Sequence, residues 1–256
     1  MRLVGHCPIC YFLSLILAKI GRDQRVMSDV RDRLGAAGAS NYRDLRREMV
    51  ERQIRRRGVR DPLVIRAMEA VPRHEFVPAA VSHDAYADSP LAIGEGQTIS
   101  QPYMVAAMTE ALELTGSQRV LEIGAGSGYQ AAVLSRLARE VIAIEFRPLL
   151  ARAARERLAH LGYSNVSVEI ADGSEGWPAA APYDAILAAA AAPAVPAPLI
   201  EQLADGGRLV IPIGTRENQE LHRIRKIDGR IDDFPMFACR FVPLVGRYAW
   251  PDVTRS

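Results

Sequence analysis

Apolar residues recur along this chain with two different periods. Leu45, Met49, Val50 and Ile54 fall on one side of a helix, with Arg46, Arg47, Arg52, Arg55 and Arg56 spread over the rest as a solvated face. Asn41 is placed to cap that helix and Gly58 to end it. Asp61-Pro62 then reads as cap and first helical residue of a short helix through Met68, halted before Pro72. From Val71 to Gln97 the chain is rich in Pro and Gly and reads as irregular. Beyond it, short apolar runs alternate with helical periods. Val120–Ile123 is a strand, followed by a helix to Leu137; Val141–Ile144 is a second, followed by a helix from Pro148 to Leu161 that stops at Gly162. Val166–Ile170, Tyr183–Ala188 and Leu209–Ile213 continue the series. Leu221, Arg223, Arg225 and Ile227 alternate as a sixth strand turning at Asp228-Gly229, and Cys239–Leu244 is the seventh. The pattern predicts an α/β protein: a doubly wound, mostly parallel seven-stranded sheet covered on both faces, with an added N-terminal helical segment.

From Pro178 to Pro198, 16 of 21 residues are Ala or Pro, the composition of a linker. The embedded Tyr183-Asp184-Ala185-Ile186-Leu187 marks a buried strand instead, followed by a Pro-punctuated loop at its carboxyl end, where open α/β sheets bind ligands. Residues 1–40 show no sustained period and read as a poorly ordered extension, leaving 41–256 as one domain. Ile9–Ala18 is apolar but too short to cross a bilayer; it reads equally as a signal-peptide core behind Arg2 or as a segment upstream of a start at Met27.

The net charge of +2 hides an asymmetry, because residues 1–60 carry 14 basic against 6 acidic residues. Only Lys19 and Lys226 are lysines, so the arginine excess reflects composition throughout and argues against a nucleic-acid surface. Three cysteines cannot scaffold a chain of 256 residues, which suits a reducing compartment. Cys7 and Cys10 form a CxxC beside His6 without a second ligand pair, and His74, His83, His160 and His222 lack metal-binding spacing, so no metal is expected.

The chemistry gathers at strand ends. Glu122-Ile123-Gly124-Ala125-Gly126-Ser127-Gly128 closes the first strand and opens a helix, and its glycines permit a tight turn that a nucleotide-like ligand can approach. Gly128 stands four residues after Gly124, not five as in the dinucleotide fingerprint, and an acidic residue stands two before Gly124. This form favours S-adenosyl-L-methionine. Glu145, 21 residues after Gly124, ends the second strand where a carboxylate can accept from both ribose hydroxyls. Asp172-Gly173 ends the third, placed to reach the adenine edge. Either acid alone reads as well as a helix cap or turn residue; three consecutive strand ends point to a class I (Rossmann-like) methyltransferase.

Longer blocks narrow the assignment. Val71-Pro72-Arg73-His74-Glu75-Phe76-Val77-Pro78, Ala85-Tyr86-Ala87-Asp88 and Gly94-Glu95-Gly96-Gln97-Thr98-Ile99-Ser100-Gln101-Pro102-Tyr103 resemble the blocks of the protein-L-isoaspartate (D-aspartate) O-methyltransferases. So do Tyr129-Gln130 after the glycine turn, Asp172-Gly173, and Arg240-Phe241-Val242-Pro243-Leu244, over a span from Arg46 to Trp250. The resemblance implies methyl transfer from S-adenosyl-L-methionine to the free carboxylate of L-isoaspartyl residues in damaged proteins, by a cytoplasmic monomer without nucleic-acid or membrane partners. It makes Ser100 the active-site residue; read locally, Ser100 is equally an N-cap for the helix carrying Val105, Met108 and Leu112. Val195-Pro196 and Ile211-Pro212 read either as pocket lining or as ordinary strand ends and core. Two residues depart from the family pattern: Ala125 and Ala189 stand where threonines are usual, and each loses a hydroxyl near the pocket while backbone donors remain. The competing readings are a class I methyltransferase acting on a small molecule or nucleic acid, and a cofactor-binding module without turnover.

Overall fold

The computed structural model describes residues 41–251. The chain divides into two compact units, Met1–Asp44 and Leu45–Ser256, and apart from residues 41–44, which open the first described helix, all that follows lies in the second. The expectations for the extension, its apolar run, its CxxC and a start at Met27 fall outside the described residues.

Helix α1, already under way at residue 41, continues through a π turn over Val50–Ile54 and a 3-10 turn over Arg55–Arg57. Asn41 is itself helical and so does not stand outside the helix as a cap, whereas Gly58 ends it in the left-handed conformation at φ 101°. Met49, Val50 and Ile54 are buried, as the apolar stripe requires. Asp61 caps α2 (Pro62–Ala70) by accepting from the Leu63 amide at 2.7 Å. The stretch read as irregular contains two 3-10 segments and a hairpin of β1 (Leu91–Gly94) and β2 (Gln97–Ile99), leading into α3 (Pro102–Ala111). The hairpin turns at Glu95 and Gly96, both at positive φ.

The main sheet has the order β5 (Val166–Ile170), β4 (Glu140–Glu145), β3 (Arg119–Ile123), β6 (Tyr183–Ala188), β7 (Leu203–Gly214), β8 (Gln219–Ile227), β9 (Arg230–Cys239). The first five strands in that order run parallel and the last two pair antiparallel, giving the expected seven strands. Helices α4 (Tyr129–Ser135), α5 (Pro148–His160) and α6 (Ala197–Gln202) complete the unit; α6 was hidden by its Ala/Pro-rich surroundings. The seventh strand is displaced from the expected Cys239–Leu244. The turn at Asp228-Gly229 pairs Ile227 with Arg230 directly, so β9 is used up by Cys239, and residue 243 makes only an isolated bridge to Ala191.

Alternation along the strands sorts the core. Leu121, Ile123, Ile142, Ile144, Ile186 and Ala188 bury one face against Leu199, Leu203 and Leu244. Glu122 and Glu145 therefore share the opposite face. Strand order reverses at β3, whose neighbours are β4 and β6, and that switch point opens a crevice at the carboxyl ends of the strands.

Candidate active site

A cleft partly open to solvent occupies that crevice. Its floor is the turn after β3, where Gly124, Gly126 and Gly128 all have positive φ (87°, 52° and 87°), a conformation that penalises any residue with a Cβ. The turn is held from within: Gly124 and Ala125 amides donate to the Ile144 carbonyl at 2.8 and 3.0 Å, Gly128 to the Ala125 carbonyl at 2.8 Å, and Gly126 to Glu145 Oε2 at 2.8 Å. The backbone donors expected to offset the lost Ala125 and Ala189 hydroxyls are thus largely committed to the fold. The turn contributes shape and closeness more than free N–H groups.

The two carboxylates differ in circumstance. Glu145 lines the cleft and accepts from the amides of Gly126 and Arg147, which leaves part of a carboxylate's four acceptor positions open. Burial raises its pKa, while the amides of Arg147, Gly126 and Phe146 pull against that rise. Glu122 is wholly buried beneath the turn, does not line the cleft, and neither carboxyl oxygen has a hydrogen-bond partner. Burial and then the charge of Glu145 push its pKa well above the usual carboxylate range. Of the two, Glu122 is the carboxyl whose ionisation burial and its neighbour oppose.

Gly173 lines the cleft, and a Cβ there would lie 2.4 Å from Ile123 Cγ2, so only glycine lets this turn approach β3. Asp172 is placed differently from the expectation. It caps the 3-10 turn Gly173–Glu175, accepting through Oδ1 from the Ser174 amide and hydroxyl at 2.9 and 2.7 Å and through Oδ2 from the Arg247 amide at 2.7 Å. It does not line the cleft. Its partner segment does, since Val242–Val245 forms one wall, pinned by the Leu244 amide on the Ala191 carbonyl at 2.8 Å.

Ser100 is half-buried in the opposite wall beside Gln97, Thr98 and Ile99 of the hairpin. The helix cap is Gln101, so Ser100 lies outside α3, and its hydroxyl makes no hydrogen bond among the described residues. It is available to an incoming group. Ala125, Ala189 and Ala190 all line the cleft, whereas Val195, Ile211 and Pro212 do not; Ile211 is core. Sequence reasoning missed Phe146 and Arg147, which follow Glu145 into the cleft, and the wall supplied by Val245. The position of Phe146 and Arg147 directly after a strand-ending acid was the available signal.

The sequence model of the family described as Protein-L-isoaspartate(D-aspartate) O-methyltransferase matches residues 44–249. A Protein-L-isoaspartate O-methyltransferase of Methanoculleus marisnigri is 54% identical over 205 residues, covering 80% of this chain and 93% of that one. Among solved structures, a protein-L-isoaspartate O-methyltransferase superposes with a TM-score of 0.73 at 30% identity, covering 80% of this chain and 67% of that one. A Plasmodium falciparum structure described as a beta-aspartate methyltransferase in complex with S-adenosyl-L-homocysteine superposes at 0.67 with 26% identity, covering 78% and 98%. With the glycine turn, the strand-end carboxylate and the Ser100 wall converging on one cleft, these matches place the chain in the protein-L-isoaspartate(D-aspartate) O-methyltransferase family.

Proposed function

We propose that the chain methylates the free carboxylate of L-isoaspartyl residues in damaged proteins, starting their repair, with S-adenosyl-L-methionine as methyl donor. The observation that carries this reading is the convergence of the glycine turn, Glu145 and Ser100 on a single cleft. The residues present suit the donor: Glu145 keeps acceptor capacity for a ribose diol, and the turn holding Gly124, Gly126 and Gly128 leaves room for close approach, with Gly173 at the adenine end. Glu122 supports them from below, buried beneath the turn where burial and the charge of Glu145 raise its pKa. Asp172 acts on the pocket through the wall it holds.

S-adenosyl-L-methionine supplies an activated methyl on a sulfonium. An acceptor carboxylate of pKa about 4 is ionised roughly a thousandfold over its acid at pH 7, so no general base is required. The protein's task is to position. Ser100 offers a hydroxyl to one acceptor oxygen, and the apolar wall of Ala189, Ala190, Val242 and Leu244 excludes water. Holding nucleophile and methyl in line can supply on the order of 7 kcal/mol or more.

Among the described residues no helix is long and apolar enough to cross a membrane. A cytoplasmic monomer without nucleic-acid partners is part of this proposal: three cysteines in 256 residues suit a reducing compartment, and the composition-wide preference for arginine over lysine argues against a nucleic-acid surface. Gain of one methyl group by an isoaspartyl-containing protein, read by mass spectrometry and reversed by alkaline hydrolysis, tests the proposal; steeply salt-dependent nucleic-acid binding would favour the rival acceptor instead.

A further inference from the structure

A second recess opens beside the cleft and shares Thr98, Ser100, Ala189 and Val242 with it. Its outer part is bounded by Arg57, Tyr103, Phe237, Cys239 and Arg240. Three distant pieces of chain meet here: the end of α1, the first turn of α3, and the end of the edge strand β9.

The chemistry of this wall is one-sided. The Arg57 guanidinium lies over the Tyr103 ring, with Cζ 3.6 Å from its centroid, and donates to Asp88 at 2.9 Å, so it is held in one place. Tyr103 in turn packs against Phe237 in a tilted pair, 6.1 Å between centroids at an interplanar angle of 37°. Arg240 is exposed and has no carboxylate partner among the described residues. Among the described residues no carboxylate lines the recess, and Asp88 offsets only one of its two guanidiniums. Cys239 adds no negative charge, because burial and then the charge of Glu220, outside the recess on the neighbouring strand, push its thiol up to about 11.

We propose that this recess is a subsite for an acidic side chain adjacent to the isoaspartyl residue, with Arg57 and Arg240 setting the preference. The proposal rests on Ser100 marking the acceptor site. A peptide whose isoaspartyl carboxylate reaches Ser100 and whose chain leaves past Thr98 and Val242 brings a neighbouring residue to two cations and an aromatic pair. Both guanidiniums face solvent, so the effect is modest and screened by salt.

The test uses two sets of isoaspartyl peptides, identical except for Glu, Gln or Lys immediately before the isoaspartyl residue in one set and immediately after it in the other. At low salt the wild-type KM is expected to rise in the order Glu, Gln, Lys in one of the sets, with roughly three- to tenfold between the extremes. Arg240→Gln and Arg57→Gln are each expected to narrow that spread while leaving the KM for S-adenosyl-L-methionine unchanged. Arg240 has no partner to lose, so its variant keeps the test sound if Arg57→Gln disturbs Asp88. No ordering in either set, the reverse ordering, or an ordering that persists in both variants overturns the subsite. Failure to methylate any of the isoaspartyl peptides overturns the proposed function, and the subsite with it.

Discussion

The Asp172 carboxylate accepts the Arg247 amide at 2.7 Å, joining the end of β5 to a loop 75 residues later in the chain. Ser174 reinforces the joint, its hydroxyl accepting the Tyr248 amide at 3.0 Å while donating to Asp172. This clasp holds the segment whose preceding residues, Val242–Val245, wall the cleft.

Asp172→Ala is expected to cost about 1–3 kcal/mol of local stability, since charge-assisted acceptors are removed from otherwise committed amides. Cofactor affinity should fall about tenfold by calorimetry, and the amides of Arg247 and Tyr248 should exchange faster with solvent. Gly246→Ala should act alike without touching the cleft, because a Cβ there would sit 1.9 Å from Asp172 Oδ1 and 2.4 Å from Ser174 Oγ. Unchanged affinity and exchange in both variants would show that the clasp does not shape the site.

Ser100→Ala removes a hydroxyl from the cleft wall without opening the core. A lost hydrogen bond to a charged acceptor is worth about 1.5–3 kcal/mol, so kcat/KM should drop roughly tenfold to a hundredfold with cofactor affinity intact. An undiminished rate would reduce Ser100 to a wall residue.

Ala125 and Ala189 both face the cleft, and the neighbouring turn amides are already bonded within the fold. Restoring a hydroxyl with Ala125→Thr or Ala189→Thr is therefore expected to tighten cofactor binding by up to about 1 kcal/mol. A cofactor affinity that does not move in either variant would show that these positions do not matter.

Glu122 makes stability depend on pH. Its folded pKa is raised by burial and by Glu145, so above the ordinary carboxylate range the folded state binds the more protons and stability falls as pH rises. The stability this group contributes is complete below its unfolded pKa of about 4.3 and is lost as pH climbs towards the folded value. Glu122→Gln removes that dependence, so denaturant midpoints of the variant relative to wild type should improve from pH 5 to pH 8. A constant difference across that range would place the titration elsewhere.

The parallel strands were legible because β3, β4 and β6 are buried on both faces and read as nearly unbroken apolar runs. At the sheet edge that signal disappears. Nearly all of β9 is exposed, with Asp232, Asp233 and Pro235 interrupting any alternation, so its position emerged only from pairing with β8. The hairpin before Ser100 was hidden by strands of four and three residues around a Gly-Glu-Gly turn. At the site, the glycine turn and Glu145 were readable because local backbone demands and strand ends fix them. The roles of Asp172 and Arg57 were not, because Arg247 and Ser100 reach them only through the tertiary fold.

The most direct measurement offers the protein methyl-labelled S-adenosyl-L-methionine with two peptides that differ only in carrying isoaspartate or aspartate at one position. The account predicts base-labile label on the isoaspartyl peptide alone. Equal labelling of both peptides, or of neither, would contradict it.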